Sequence, residues 1–376
     1  MDQHSKAELV KVYRKRYQRA TKREKSRIID SIVEATGYSR KHVIRALRQR
    51  RSVPRKVKRN RTSRYTPIVG ILEQVWAASN FLCGKRLKPF LPVLIQALRH
   101  HREINPTNEE QALLSSVSAA TIDRLLAKAR RNLRPKGRPT TKPGTLLKHK
   151  IPVRTFADWN DDTPGFLEVD LVAHCGDSTC GEYINTLNMT DVATGWAACV
   201  PFVGRSERFC VAAIEEARSS LPFPLMGIDS DNDAPFINNH LLRYCNRNGL
   251  SFTRGRPYKK NDQCRVEQKN WDIVRKMIGY GRFDTYKQLD LLKRIYALLT
   301  VYQNFFQPSQ KLIAKERIGS RVRKRYDTAQ TPCQRLLSRK DVPKEARALL
   351  RQNLHALNPA QLLRDIHNLI TELYNS

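Results

Sequence analysis

Hydrophobic positions near the amino terminus recur at intervals of three and four, and that spacing predicts helices over Ser5–Ala20, Lys22–Thr36 and Arg40–Gln49. Ile28, Ile29, Ile32 and Val33 form the apolar stripe of the second. Gly37 ends it, and Ser39 stands where the N-cap of the third belongs. The third turns Val43, Ile44 and Leu47 inward and Arg40, Lys41, Arg45 and Arg48 outward. Helix, short glycine-containing turn, basic helix is the grammar of a helix-turn-helix, with the outward row facing DNA. An ordinary helical hairpin with a solvated basic face has the same pattern. Helical spacing continues over Pro67–Leu82, Leu87–His101, Glu109–Ser115 and Ala119–Arg131. Ser118 is placed to cap the last of these, and Arg124, Lys128, Arg130 and Arg131 make it a second candidate DNA surface.

The period then shortens. Phe166–Val172, Tyr183–Thr190 and Trp196–Val203 are rich in β-branched and apolar residues, with Asp191–Gly195 as a turn, and they predict an antiparallel meander. Helix Ser206–Ser219, strand Pro224–Ile228, helix Pro235–Asn248, strand Leu250–Thr253 and helix Arg265–Ile278 follow. Three consecutive strands and then alternation imply an α/β fold, a mixed five-stranded sheet flanked by helices on both faces. This reading assigns no element between Gly279 and Gln310. Leu and Ile return at helical spacing over 343–373, for subunit contact or for packing onto the core.

Charge divides the chain further. Lys+Arg number 69 against 35 Asp+Glu in 376 residues, a net +34. The excess is +17 over 1–64, +10 over 65–150 and +8 over 311–376, while 151–310 carries −1. Basic flanks imply a polyanionic partner and salt-dependent binding through counterion release. The neutral middle, with 19 carboxylates, is the place for chemistry. The expected divisions are 1–64 with a basic linker at its end, 65–131 as a second helical domain, a linker over 132–152, a core over 153–310 and a basic, helical region over 311–376. Within the second linker Lys136-Gly137-Arg138-Pro139 is similar to an AT-hook core, whose Arg138 enters an A·T minor groove, and also reads as a plain basic linker. Lys311–Arg325 is a further basic block. No run approaches the roughly 18 apolar residues of a membrane span, and Met1–Lys25 has no apolar signal segment. Eight cysteines without a CxxC pair predict reduced thiols, and the expectation is a cytoplasmic, nucleoid-associated protein without structural zinc.

The acids of the middle segment are the candidate chemistry. Asp170 lies within a strand, Asp231 follows the next core strand, and Glu267 lies near the start of a helix. A carboxylate in a strand interior is costly unless paired or coordinating. Three that converge repel one another unless cations join them, and Mg²⁺ favours a few carboxylates plus substrate phosphates. Two such ions serve an in-line phosphoryl displacement. Asp229 and Glu168 share strand faces with Asp231 and Asp170 and are rivals for their places.

Residues 165–280 resemble the catalytic core of the retroviral-integrase-like DDE transposases, of the ribonuclease H-like fold, in their bacterial insertion-sequence type. The resemblance rests on Glu168-Val169-Asp170, on Ser230-Asp231-Asn232 with Phe236-Ile237-Asn238, and on Pro257-Tyr258-Lys259-Lys260-Asn261 ahead of Val266-Glu267. Asp231 and Glu267 are separated by 35 residues, the family's spacing, whereas Asp233 stands where the family usually has Gly. The resemblance implies catalytic, metal-ligating Asp170, Asp231 and Glu267 with Mg²⁺ or Mn²⁺, two ions. It implies attack by water and then by a DNA 3′-hydroxyl on a phosphodiester, with no protein nucleophile. The expected activity is DNA transposition, that is, cutting of transposon ends and strand transfer to target DNA by a homodimer or larger synapse. A DNA-binding protein with an inactive core, or a related nuclease without strand transfer, are the alternatives. Arg254, Arg256, Lys259, Lys260, Arg265, Lys269, Arg275 and Lys276 cluster around Glu267, and several of them are expected to hold phosphates. Trp196 and Trp271 are read as core aromatics rather than base-stacking platforms.

Overall fold

A computed structural model describes residues 2–48, 63–131, 163–231, 235–236, 238–255, 264–318 and 321–376. The chain divides into two compact units, 1–63 and 64–376. The first linker, the 132–152 linker with Arg138, and Arg256, Lys259 and Lys260 lie outside the described residues, except for Ser63 and Arg64 at the end of the first linker.

The first unit is three helices, α1 (Gln3–Arg19), α2 (Lys22–Thr36) and α3 (Arg40–Arg48), close to the predicted bounds. A Thr21–Glu24 capping box starts α2, and Gly37 ends it at φ +69°, a left-handed conformation that costs glycine little. Val10, Tyr17, Ile28, Ile29, Ile32, Val43 and Leu47 form its core.

In the second unit α4 (Val69–Ala78), α5 (Gly84–His100), α6 (Asn108–Ser116), α7 (Ala119–Leu125) and α8 (Ala127–Arg131) precede the sheet. The helix expected over Ala119–Arg131 is broken at Leu126, and Ser118 caps its first part. The sheet runs β3-β2-β1-β4-β5, from β1 (Phe166–Ala173), β2 (Ile184–Asp191), β3 (Ala197–Val203), β4 (Gly227–Ser230) and β5 (Ser251–Arg254). The first three pair antiparallel, while β4 pairs parallel with both β1 and β5. This is the mixed five-stranded sheet that the sequence predicts. α9 (Glu207–Ser219) and α10 (Asn239–Arg247) supply the crossovers.

Two strand and helix starts differ from expectation for local reasons. β4 begins at Gly227, beyond the expected Pro224, because the Met226 and Gly227 N–H groups both donate to the Gly165 carbonyl, at 2.8 and 3.1 Å, so that regular pairing with β1 opens only at Phe166 and Gly227. α10 begins at Asn239, not Pro235, because Asn238 accepts a hydrogen bond from the Leu241 N–H at 2.8 Å and sets the first turn there.

The sheet face that carries Asp170 is covered by α11 (Cys264–Lys269), by a π-helical segment continuing it (Asn270–Ile278), and by α12 (Tyr286–Phe306). α12 is the long helix that the sequence reading leaves out, although its Thr285–Gln288 capping box is a legible start. β6 (Leu312–Ile318) and β7 (Arg321–Tyr326) form a separate antiparallel hairpin out of the basic block. α13 (Pro332–Leu337), α14 (Lys344–Ala356) and α15 (Pro359–Tyr374) close the chain, with Leu350, Leu363, Ile366 and Leu373 buried in the same core as the sheet. Buried residues of α4–α7 also belong to that core, which runs from Tyr65 to Leu373. Tyr302 of α12 donates to the Ala78 carbonyl at 2.8 Å, and Gln307 to that of Ser79 at 2.9 Å. No helix among the described residues is long and apolar enough to cross a membrane.

Candidate active site

The candidate site lies where the parallel pairing of β1 and β4 runs out. Glu168 pairs with Asp229 and Val169 with Ser230, so the next residues along the two chains are Asp170 and Asp231. Side chains alternate along a strand, and in-register neighbours on adjacent strands share a face about 4.8 Å apart. Glu168 and Asp229 therefore form an inner rung on one face of the sheet, and Asp170, with Asp231 just past the end of β4, follows two residues on as an outer rung.

The inner rung, Glu168 and Asp229, is buried, whereas Asp170 and Asp231 are half-buried. Asp229 accepts from Thr253 Oγ1 of β5 at 2.6 Å. Glu168 accepts from the backbone N–H groups of Arg265 and Val266, both at 2.9 Å, and from Arg265 Nη1 at 2.8 Å. Burial pushes the Glu168 carboxyl above the usual range, against the pull of Arg265. The two rivals left open by strand periodicity are thus engaged inside the protein, and the outer rung faces the more open side.

Asp170 is held from two directions. The Leu171 N–H donates to its Oδ1 at 2.8 Å, and Asn270 Nδ2 donates to its Oδ2 at 2.6 Å. Asn270 in turn accepts from Asn188 Nδ2 of β2 at 2.7 Å. Asn270 and Asn188 are residues that the sequence reading misses. Asn270 follows Glu267 by three positions, one helical turn, and that spacing is the signal that could have found it. Glu267 itself is exposed, on α11. The hard oxygen donors of Asp170 and Asp231 suit a divalent cation. Among the described residues, however, no three acids, histidines or cysteines stand close enough together to hold one.

The basic residues fall into three groups. Lys41, Arg45 and Arg48 are exposed on α3, as is Arg40, which is tied to Asp30 and to Ser26 Oγ. Arg124 on α7 and Lys128 on α8 are exposed. Arg254 and Lys269, expected to face DNA, are instead buried, at 8% and 5% exposure. For Lys269 the reason is helical phase. Two residues past Glu267 is more than half a turn round the helix, and three past the buried Val266 is its inward face. Burial lowers the Lys269 pKa to about 8. Trp196 is buried against Phe305, as expected. Trp271 departs from the core role expected of it. It is 50% exposed, one turn past Glu267, because the inward positions of this segment are filled by Ile273 and Val274.

No model of a known protein family matches the chain. An uncharacterised protein, y4rM of Sinorhizobium fredii (strain NBRC 101917 / NGR234), is 45% identical over 332 residues, covering 88% of this chain and 95% of that protein. Among solved structures, a simian T-cell lymphotropic virus intasome in complex with the PP2A regulatory subunit B56 gamma aligns at 14% identity and a TM-score of 0.31, over 56% of this chain and 68% of that one. The HTLV-2 integrase catalytic core domain in complex with magnesium aligns at 15% identity and a TM-score of 0.30, over 39% of this chain and 90% of that one. Superpositions this loose carry no weight for the site.

Proposed function

We propose that this chain, which belongs to the same family as the Sinorhizobium fredii protein y4rM, is a DDE-type DNA transposase that cuts transposon ends and joins them to target DNA. The observation that carries this reading is the acid ladder. Its inner rung is engaged by internal hydrogen bonds, and its outer rung, Asp170 and Asp231, is half-buried where the β1–β4 pairing ends. The motif spacing supports Glu267 as the third acid. In this reading Asp170, Asp231 and Glu267 hold Mg²⁺ or Mn²⁺, which supplies activation of the attacking oxygen and stabilisation of the leaving one. The chain's own contribution is positional: Asn270 and the Leu171 N–H fix the Asp170 carboxylate, and α11 carries Glu267.

Double-stranded DNA is the proposed partner. The exposed row of α3 and the cations of α7 and α8 are its proposed grips, and so is the β6–β7 ribbon, where Lys315, Arg317, Arg323, Lys324 and Arg325 are all exposed. A two-stranded ribbon fits a major groove. Arg138, Arg256, Lys259 and Lys260 are proposed phosphate or groove contacts on sequence grounds. Holding two ends at once calls for a dimer or larger synapse, and a DNA partner for a cytoplasmic, nucleoid-associated location.

One observation favours a second reading, a DNA-binding protein with an inactive core: no three-ligand group is assembled among the described residues. Incubation with linear duplex carrying the terminal sequences that flank the chain's own gene, with Mg²⁺ or Mn²⁺, separates the readings. Nicks and joined products, both lost in Asp170→Ala, Asp231→Ala and Glu267→Ala, are the expected result. Binding without cutting supports the inactive core, and nicks without joined products a nuclease.

A further inference from the structure

Glu168 is a fully buried acid, at 0% exposure, for which the three proposed metal ligands leave no role. It reaches 97 and 98 positions along the chain to the first turn of α11, where it takes up two backbone N–H groups and the Arg265 guanidinium. The first N–H groups of a helix have no partner within the helix and carry its positive pole, so a carboxylate there is doubly favoured. A local Ser or Asp ahead of the helix would have served for capping alone. A cap reaching in from β1 does something more, because it ties the helix to the strand that carries Asp170.

The tie has a counterpart. Further along the same helix, Asn270 binds Asp170, two residues beyond Glu168 on the same face of β1. The lengths agree. From the 265–266 amides to residue 270 a helix rises about 6.8 Å, and two residues of strand span about 6.7 Å. The helix start therefore lies along β1, pinned at two points, and Glu267 sits between the pins.

We propose that Glu168 is a positioning residue, the anchor that sets Glu267 relative to Asp170 without itself touching metal or substrate. The inference rests on the proposed function for its consequence, but the anchor is testable apart from it. Hydrogen exchange of the full-length protein is expected to show amides 265 and 266 losing protection in Glu168→Ala while the amides of β1 keep theirs. Unchanged exchange at 265–266, or loss spread across the sheet, overturns the proposal. Glu168→Gln keeps an acceptor oxygen and its volume, so it is expected to retain much of the protection even where the alanine variant folds poorly.

With end-containing DNA, the Mg²⁺ concentration for half-maximal cutting is expected to rise about tenfold or more in Glu168→Ala, and less in Glu168→Gln, with DNA affinity in EDTA unchanged. A lower unfolding temperature with an unaltered Mg²⁺ requirement marks a merely structural residue and overturns the proposal. Wild type that neither cuts nor joins defeats the transposase reading instead, and the exchange measurement then decides the anchor by itself.

Discussion

Asn270 Nδ2 donates to Asp170 Oδ2 at 2.6 Å across 100 positions of sequence, while its own Oδ1 accepts from Asn188. The amide is held in one orientation by this relay, since its oxygen is committed to Asn188 and only its nitrogen faces the acid. Asn270→Leu removes the donor and keeps the volume. The expected outcome is a loss of about 10–100-fold in metal affinity or cutting rate, with DNA binding unchanged. Calorimetric titration with Mn²⁺ alongside the end-cutting assay checks it, and wild-type values in both would show the relay to be idle.

Trp271 presents half its surface to solvent one turn beyond Glu267. Base–aromatic stacking is worth about 1–3 kcal/mol per base. Trp271→Ala is therefore expected to weaken binding of an end with unpaired terminal bases by about that amount, and Trp271→Phe to restore most of it. The quench of a 2-aminopurine placed at the terminus reports the contact directly. A quench that survives the alanine variant rules it out.

Lys41, Arg45 and Arg48 are exposed on α3, whereas Arg40 is engaged by Asp30 and Ser26. Each neutralised phosphate adds about 0.9 to the slope of log affinity against log salt. Alanine at Lys41, Arg45 and Arg48 together is expected to flatten that slope by roughly 0.9 for each phosphate these side chains neutralise in the wild type. Arg40→Ala is expected to change it less and to act mainly on the α2–α3 packing. A salt titration of DNA binding measures both, and a slope indifferent to the triple variant would move the grip away from α3.

His174 is buried beneath Phe283 with its Nε2 2.9 Å from Thr186 Oγ1 and 3.4 Å from Tyr296 Oη. Burial, and secondarily the Arg275 charge, lowers its pKa from 6.5 to about 3. The unfolded chain therefore binds a proton at pH values where the folded one does not. Stability falls as pH drops through that window, by about 1.4 kcal/mol per unit at the steepest. Urea unfolding between pH 7 and about 4 is expected to show this slope, and His174→Gln to flatten it. Identical pH profiles in the two proteins would place the imidazole in water.

Much of this architecture is legible in the chain. Strand and helix order through residue 278, the bounds of α2, and the caps at Ser39 and Ser118 all follow from neighbours a few positions apart. Local signals also exist for what the reading leaves out, such as the capping box of α12. The hairpin made by the Lys311–Arg325 block is a different matter, since its strands are marked by charge rather than by apolar alternation.

By itself the sequence determined the periodicities, the division of charge and the spacing of Asp170, Asp231 and Glu267. Only the tertiary structure decided which acid of each alternating pair is buried. Period two gives Glu168 and Asp170 the same face, and the docking of α11 over Glu168 buries the one and leaves the other half-buried. Docking likewise turned Lys269 inward and Trp271 outward. The physical reason is range: backbone propensity is set within a turn or two of chain, whereas burial is set by surfaces 100 residues distant, which no local pattern encodes.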